Sequence, residues 1–152
     1  MEKSPFICPA RVTQEWGENA VSYYREIGML GHNGIDLVPV KPAWGVHAIW
    51  PGIVVHDVDA PVTSTHSWGN TLAIYHPSIK AVVRYAHLSE NTAQINDEVR
   101  AGALIGIMGS TGNSTGAHLH MGFYPCDENV QLTTSLENGY RGAVDPMNYL
   151  TL

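Results

Sequence analysis

Residues 70–87 read NTLAIYHPSIKAVVRYAH. Two short β-type runs, NTLAIYH and AVVRYAH, flank a Pro77-Ser78 break, the pattern of strands joined by a turn. The same punctuation continues in both directions. VHAIW and GIVVHDV lie upstream, parted by Pro51-Gly52. ALIGIMG and AHLHMGF lie downstream, on either side of the glycine cluster at 109–116. Regular short strands between such breaks predict a mainly β fold, a single-domain antiparallel β-sandwich or barrel-like core.

The flanking segments are less regular. Residues 1–45 are rich in turn formers and are expected to be irregular. A short helix is expected over 18–27, and a loop, GMLGHNGIDLVPV, enters a strand. Residues 91–100 are expected to hold a turn of helix. A Ser/Thr-rich loop near 61–69 and a polar insertion at 125–142 complete the pattern.

Composition bounds the function. A length of 152 residues is the size of one domain, 1–152. Charged residues are only 14% against 15 glycines, which favours a β body with tight turns over charged helices. A net charge of −6 offers no basic footprint for nucleic acid and no attraction to an anionic surface. The N-terminal MEKSPFICPARVTQ lacks an apolar signal core, so a chain made in the cytoplasm without a secretory signal is expected. No apolar run is long enough for membrane insertion. Cys8 and Cys126 are compatible with a disulfide or with two separate thiols, and the lack of CxxC excludes a thiolate zinc finger.

Eight histidines direct attention to metal chemistry. In His118-Leu119-His120, positions i and i+2 of a strand project both imidazoles from one face while Leu119 enters the other. In His32-Asn33-Gly34-Ile35-Asp36, the H-x-x-x-D spacing can bring both side chains to one side of a loop–strand junction, with Gly34 permitting the turn. Imidazole with carboxylate suits zinc, whose catalytic sites use three protein ligands and leave a fourth position open. This is not the helical HExxH arrangement. His87, in RYAHLS, ends a strand. His76 reads as structural, and His47, His56 and His66 as surface or turn residues. Asn70 is expected to serve a strand end.

The ordered set GHNGID, WGNTLAIYH, YAHLS, AGALIGIMGSTGNSTGAHLHMGF and VDPMNYL resembles the lysostaphin-type (LytM-like) zinc metalloendopeptidase family, over about 12–150. The upstream VTQEWGENA and YYREIG are similar to phage-associated members. The resemblance implies one zinc ion held by His32, Asp36 and His120, with His87 and His118 as an unligated catalytic pair whose division of labour stays open. It implies an endopeptidase acting on peptidoglycan stem peptides or cross-bridges in a loop-walled groove. A non-catalytic peptidoglycan-binding or amidase-activating module on the same fold is the alternative. Survival of all five residues favours the enzyme. The setting implied is a phage or prophage lytic protein, an endolysin or a virion-associated protein, with phage particle or tail proteins as partners. Some family members use a tyrosine before HxxxD, for which Tyr23 and Tyr24 are candidates. Ser114 and Thr115 are candidate wall residues, as are the loops at 59–69 and 125–142.

Overall fold

Alternation along AVVRYAH buries Ala81, Val83 and Tyr85 completely and leaves Val82 and Arg84 partly exposed. The computed structural model describes residues 4–19, 22–59 and 68–150, and it makes this run the centre of a nine-stranded sheet. In chain order the elements are β1 (Ala10–Gln14), α1 (Tyr23–Glu26), β2 (Ile35–Pro39), β3 (Gly45–His47), β4 (Gly52–Val58) and β5 (Asn70–His76). They continue with β6 (Ala81–Asn91), β7 (Glu98–Val99), β8 (Leu104–Met108), β9 (Leu119–Pro125) and a 3-10 turn at Pro146–Asn148.

Every strand pairing is antiparallel, in the order β1-β2-β9-β6-β5-β4-β7. β6 is long enough to serve three partners. It pairs β5 on one edge and β9 on the other, and from Leu88 onward it pairs β8, which carries β3. The fold is thus mainly β and antiparallel, as the spacing of short strands predicted. Leu37, Leu72, Ile74, Leu119, Met121 and Phe123 are fully buried in one core with Val83 and Tyr85. Each such side chain contributes roughly 1.5–3 kcal/mol by leaving water. His76 belongs to this core. Its Nδ1 lies 3.1 Å from the Pro51 carbonyl and its Nε2 3.4 Å from the Tyr85 hydroxyl, and burial holds its pKa below the ordinary value. No helix among the described residues is long and apolar enough to cross a membrane.

Three local expectations change, and the state of the cysteines, left open by the sequence, is decided. Residues 10–14 form β1 rather than irregular chain, because Ala10 and Val12 alternate toward the core while pairing β2. The helix near 18–27 is a single turn, stopped by Gly28 at φ 75°. Residues 91–100 hold no helix. Asp97 Oδ2 accepts the Gln94 amide, Asn96 adopts φ 72°, and the chain turns into β7. Cys8 and Cys126 are free thiols. His47 is half-buried on β3 and His56 is exposed on β4; His66 lies outside the described residues, as does the 59–69 loop from 60 to 67.

Candidate metal centre and groove

β2 and β9 are neighbours, with Ile35 opposite Met121, Asp36 opposite His120 and Leu37 opposite Leu119. Period-two geometry sends Ile35, Leu37, Leu119 and Met121 into the core, so Asp36 and His120 emerge together on the other face. His32, in the loop before β2, joins them. All three are buried, at 4%, 8% and 2% exposure for His32, Asp36 and His120.

Their ligand atoms form a tight triangle. His32 Nε2 is 2.9 Å from His120 Nδ1, and Asp36 Oδ1 lies 3.1 Å from the first and 3.0 Å from the second. Tetrahedral zinc with bonds near 2.0–2.1 Å separates its ligands by about 3.3 Å, close to these edges. The protonation pattern also suits a cation. His32 Nδ1 donates to the Glu15 carbonyl at 3.1 Å, which leaves a lone pair on Nε2 facing the carboxylate. One proton on His120 Nδ1 could serve both neighbours but would leave that lone-pair contact unrelieved. A cation at the centre relieves all three edges. Burial alone would raise the Asp36 carboxyl; the contact with His120, and with His32 when that ring carries a proton on Nε2, outweighs it and holds the group well below the usual carboxylate range. Burial drives His120 down to about 4, which keeps it neutral and able to ligate.

Gly34 has a different task from the one the motif suggested. Its φ is not positive, but a Cβ there would lie 2.5 Å from His120 Cε1 and 2.5 Å from the Met121 carbonyl oxygen. The glycine is needed for close approach, not for a turn. Gly34→Ala is expected to push the His120 ring out of the triangle, with an overpacking cost of about 1–3 kcal/mol. Lower thermal stability together with weakened zinc binding, measured on the same preparation, would show it.

His87 and His118 stand beside the triangle, their ring centroids 4.8 Å apart. His87 has φ 61°, a left-handed conformation that costs a non-glycine residue about 1–2 kcal/mol. Its amide donates to the Trp68 carbonyl and its Nδ1 to the Thr111 carbonyl at 2.8 Å. His118 Nδ1 donates to the Gly116 carbonyl at 2.8 Å, and its Nε2 is 3.5 Å from Asp36 Oδ2. Carbonyls only accept, so both imidazoles carry their neutral-state proton on Nδ1 and keep a lone pair on Nε2. Burial, with repulsion from His118 added, lowers the His87 pKa against the opposing Thr111 hydrogen bond.

These residues line a groove of about 410 Å³. Tyr23, Tyr24, Ser114 and Thr115 are in its walls, and Arg141 brings in the 125–142 segment. The buried Tyr24 hydroxyl accepts from Gln14 Nε2 at 2.9 Å, and burial pushes its pKa up to about 12, so it stays protonated. Ser114 Oγ lies 3.3 Å from His118 Nδ1. Asn70 begins β5, with Nδ2 donating to Ser89 and its amide to Thr111 Oγ1.

Spacing along the chain did not reveal Thr111, which anchors His87, or Trp68, whose ring centroid lies 4.9 Å from that of His120. Gly69 was missed with them. It has φ 61°, and a Cβ there would run into the Thr111 backbone.

A model for peptidase family M23 matches residues 30–132, a span that includes His32, Asp36, His87, His118 and His120. The chain belongs to peptidase family M23. This M23 domain shares its fold with the catalytic domain of lysostaphin from Staphylococcus simulans, with a TM-score of 0.68, 26% identity, and 91% of this chain and 90% of that one covered. The catalytic domain of the prophage-encoded M23 protein EnpA from Enterococcus faecalis gives a TM-score of 0.66 and 27% identity, over 96% and 92%. Among curated proteins, glycyl-glycine endopeptidase ALE-1 of Staphylococcus capitis is 41% identical over 66 residues, 43% of this chain and 16% of that protein. Peptidoglycan DD-endopeptidase ShyA of Vibrio cholerae is 35% identical over 91 residues, 59% of this chain and 19% of that protein. The matched segments therefore cover less than a fifth of either curated relative. M23 is a metallopeptidase family, and among the described residues His32, Asp36 and His120 are the cluster able to hold a metal ion.

Proposed function

We propose that this M23 domain, spanning 1–152, is a zinc endopeptidase that hydrolyses peptide bonds in bacterial peptidoglycan, with His32, Asp36 and His120 as the zinc ligands. The observation that carries the reading is the triangle of three lone-pair donors at 2.9–3.1 Å, which one cation would relieve. Two imidazoles and a carboxylate are a hydrolytic zinc set with a fourth position open. When bound, zinc supplies Lewis acidity toward water and the scissile carbonyl.

The chain's own residues do the rest. His87 is kept neutral by burial and its Nδ1 is tied to Thr111, so Nε2 takes the proton from the attacking water. The same proton then passes to the leaving amine. His118 faces the carboxylate of Asp36, and in its protonated form its Nε2–H stabilises the developing oxyanion. The neutral Tyr24 phenol is a further donor in the wall. Likeness to a prophage-encoded M23 protein supports a phage or prophage setting, in which an endolysin or virion-associated protein reaches the cell wall and meets phage particle or tail proteins.

The test is digestion of purified wall material, with zinc content measured on the same sample. New amino termini should appear with wild type, vanish on chelation and return with added zinc. Failure of wild type to bind zinc, or to release amino termini when loaded, would overturn the reading.

A further inference from the structure

The sheet face that carries the triangle continues past it. Ala86 pairs His120 across β6 and β9, and the next pair on that face, two residues along, is Arg84 with Gly122. A second hollow of about 280 Å³ lies there and shares Asn33, Trp68 and Arg141 with the groove. Gly122 lets the Tyr124 ring of its wall lie close, since a Cβ at that position would sit 3.0 Å from that ring.

Two cations converge on this hollow in a chain of net charge −6. The Arg84 guanidinium lies 5.0 Å from the Trp68 ring centroid and 5.3 Å from that of Tyr124. Stacking of this kind fixes the plane and leaves the edge N–H groups for an acceptor. Among the described residues the Arg84 guanidinium has no hydrogen bond and no ion pair; every ion pair there involves Asp36. Arg141 spends one donor on the Ile27 carbonyl. Burial raises the Tyr124 hydroxyl pKa, and the charges of Arg84 and Arg141 oppose that rise. Asn33, 3% exposed, stands in the wall between the two hollows, and its Nδ2 has no partner. Leu132 and Leu136, both exposed, line the hollow beside the arginines and give it an apolar rim.

We propose that this hollow is a carboxylate subsite that receives a free carboxylate of the peptide substrate through the fork of Arg84, backed by Arg141. The assignment rests on the neighbouring groove being a peptidase site. Two residues of extended chain span about 7 Å, so the carboxylate belongs to a residue about two positions from the scissile bond. A C-terminal carboxylate and an acidic side chain share this chemistry.

Three peptides separate the two sources: acetyl-Gly-Gly-Ala with a free C-terminus, its C-terminal amide, and acetyl-Gly-Glu-Ala-amide. Binding to the full chain as purified is followed through the arginine side-chain N–H signals by NMR, with peptide integrity checked by mass spectrometry. At least one carboxylate peptide should bind about tenfold tighter than the amide, the scale of one charge-assisted hydrogen bond, and should shift the Arg84 signal. Arg84→Gln should remove the preference, and Arg141→Gln, at an exposed position, should reduce it. Equal or absent binding of all three peptides, or a preference that survives Arg84→Gln, would overturn the subsite. A carboxylate preference in a protein that cuts no wall material would overturn the peptidase reading and leave the subsite standing.

Discussion

Asp36→Asn is expected to strip zinc from the protein and abolish hydrolysis while the sheet stays folded. Asp36 supplies the only negative charge of the triangle, and its Oδ1 touches both His32 Nε2 and His120 Nδ1. An amide is nearly the same shape, so the core beneath, formed by Ile35, Leu37, Leu119 and Met121, loses nothing. The amide differs in what it offers the two imidazoles. Its NH₂ can donate to the lone pair of His32 and satisfy the cluster without any cation. Losing an outer partner of a metal ligand already costs about 10–100-fold in affinity, and losing an anionic ligand should cost more. Zinc per chain after dialysis should fall from one to near zero, with far-UV circular dichroism unchanged and wall digestion reduced by at least about 1,000-fold, several kcal/mol of barrier. Stoichiometric zinc in the variant would refute the ligand assignment.

This expectation and the fold beneath it were legible in the sequence to different depths. The alternation in AVVRYAH and the HxH of 118–120 obey a period of two, so the burial of Val83, Tyr85 and Leu119 could be read from spacing alone. The meeting of Asp36 with His120 could not. It depends on cross-strand register between segments 84 residues apart, and it was reached through the ordered motif set and its family resemblance. β1 was hidden because its alternation is short and only partly buried, in a region otherwise full of turn formers. Thr111 and Trp68 act through a carbonyl oxygen and a ring face, features that no residue type advertises. Arg84 looked like an ordinary strand residue. Its meaning appears only when register sets it opposite Gly122, on the same face as His120.

His87→Asn is expected to separate catalysis from metal binding. Asparagine tolerates the left-handed φ of 61° better than most residues, so the bend within β6 and the Trp68 carbonyl contact should survive. His32, Asp36 and His120 keep their triangle, and zinc should remain at one per chain. What disappears is a lone pair on a neutral imidazole beside the water, for which the amide is no substitute. Loss of a general base typically costs about 100- to 10,000-fold, and the loss should fall on kcat with little change in KM. The wild-type pH profile carries the complementary signature. As the proposed base His87 would act in its neutral form, and burial moves its pKa down, so that form persists into more acidic solution. The acid limb of kcat should therefore lie below about 6.5, the ordinary histidine value, with activity falling only as pH drops through the lowered pKa. In His87→Asn that limb should vanish from the residual rate. A variant that holds zinc and keeps both full kcat and the acid limb would move the base to His118, whose Nδ1 is tied to the Gly116 carbonyl in the same way.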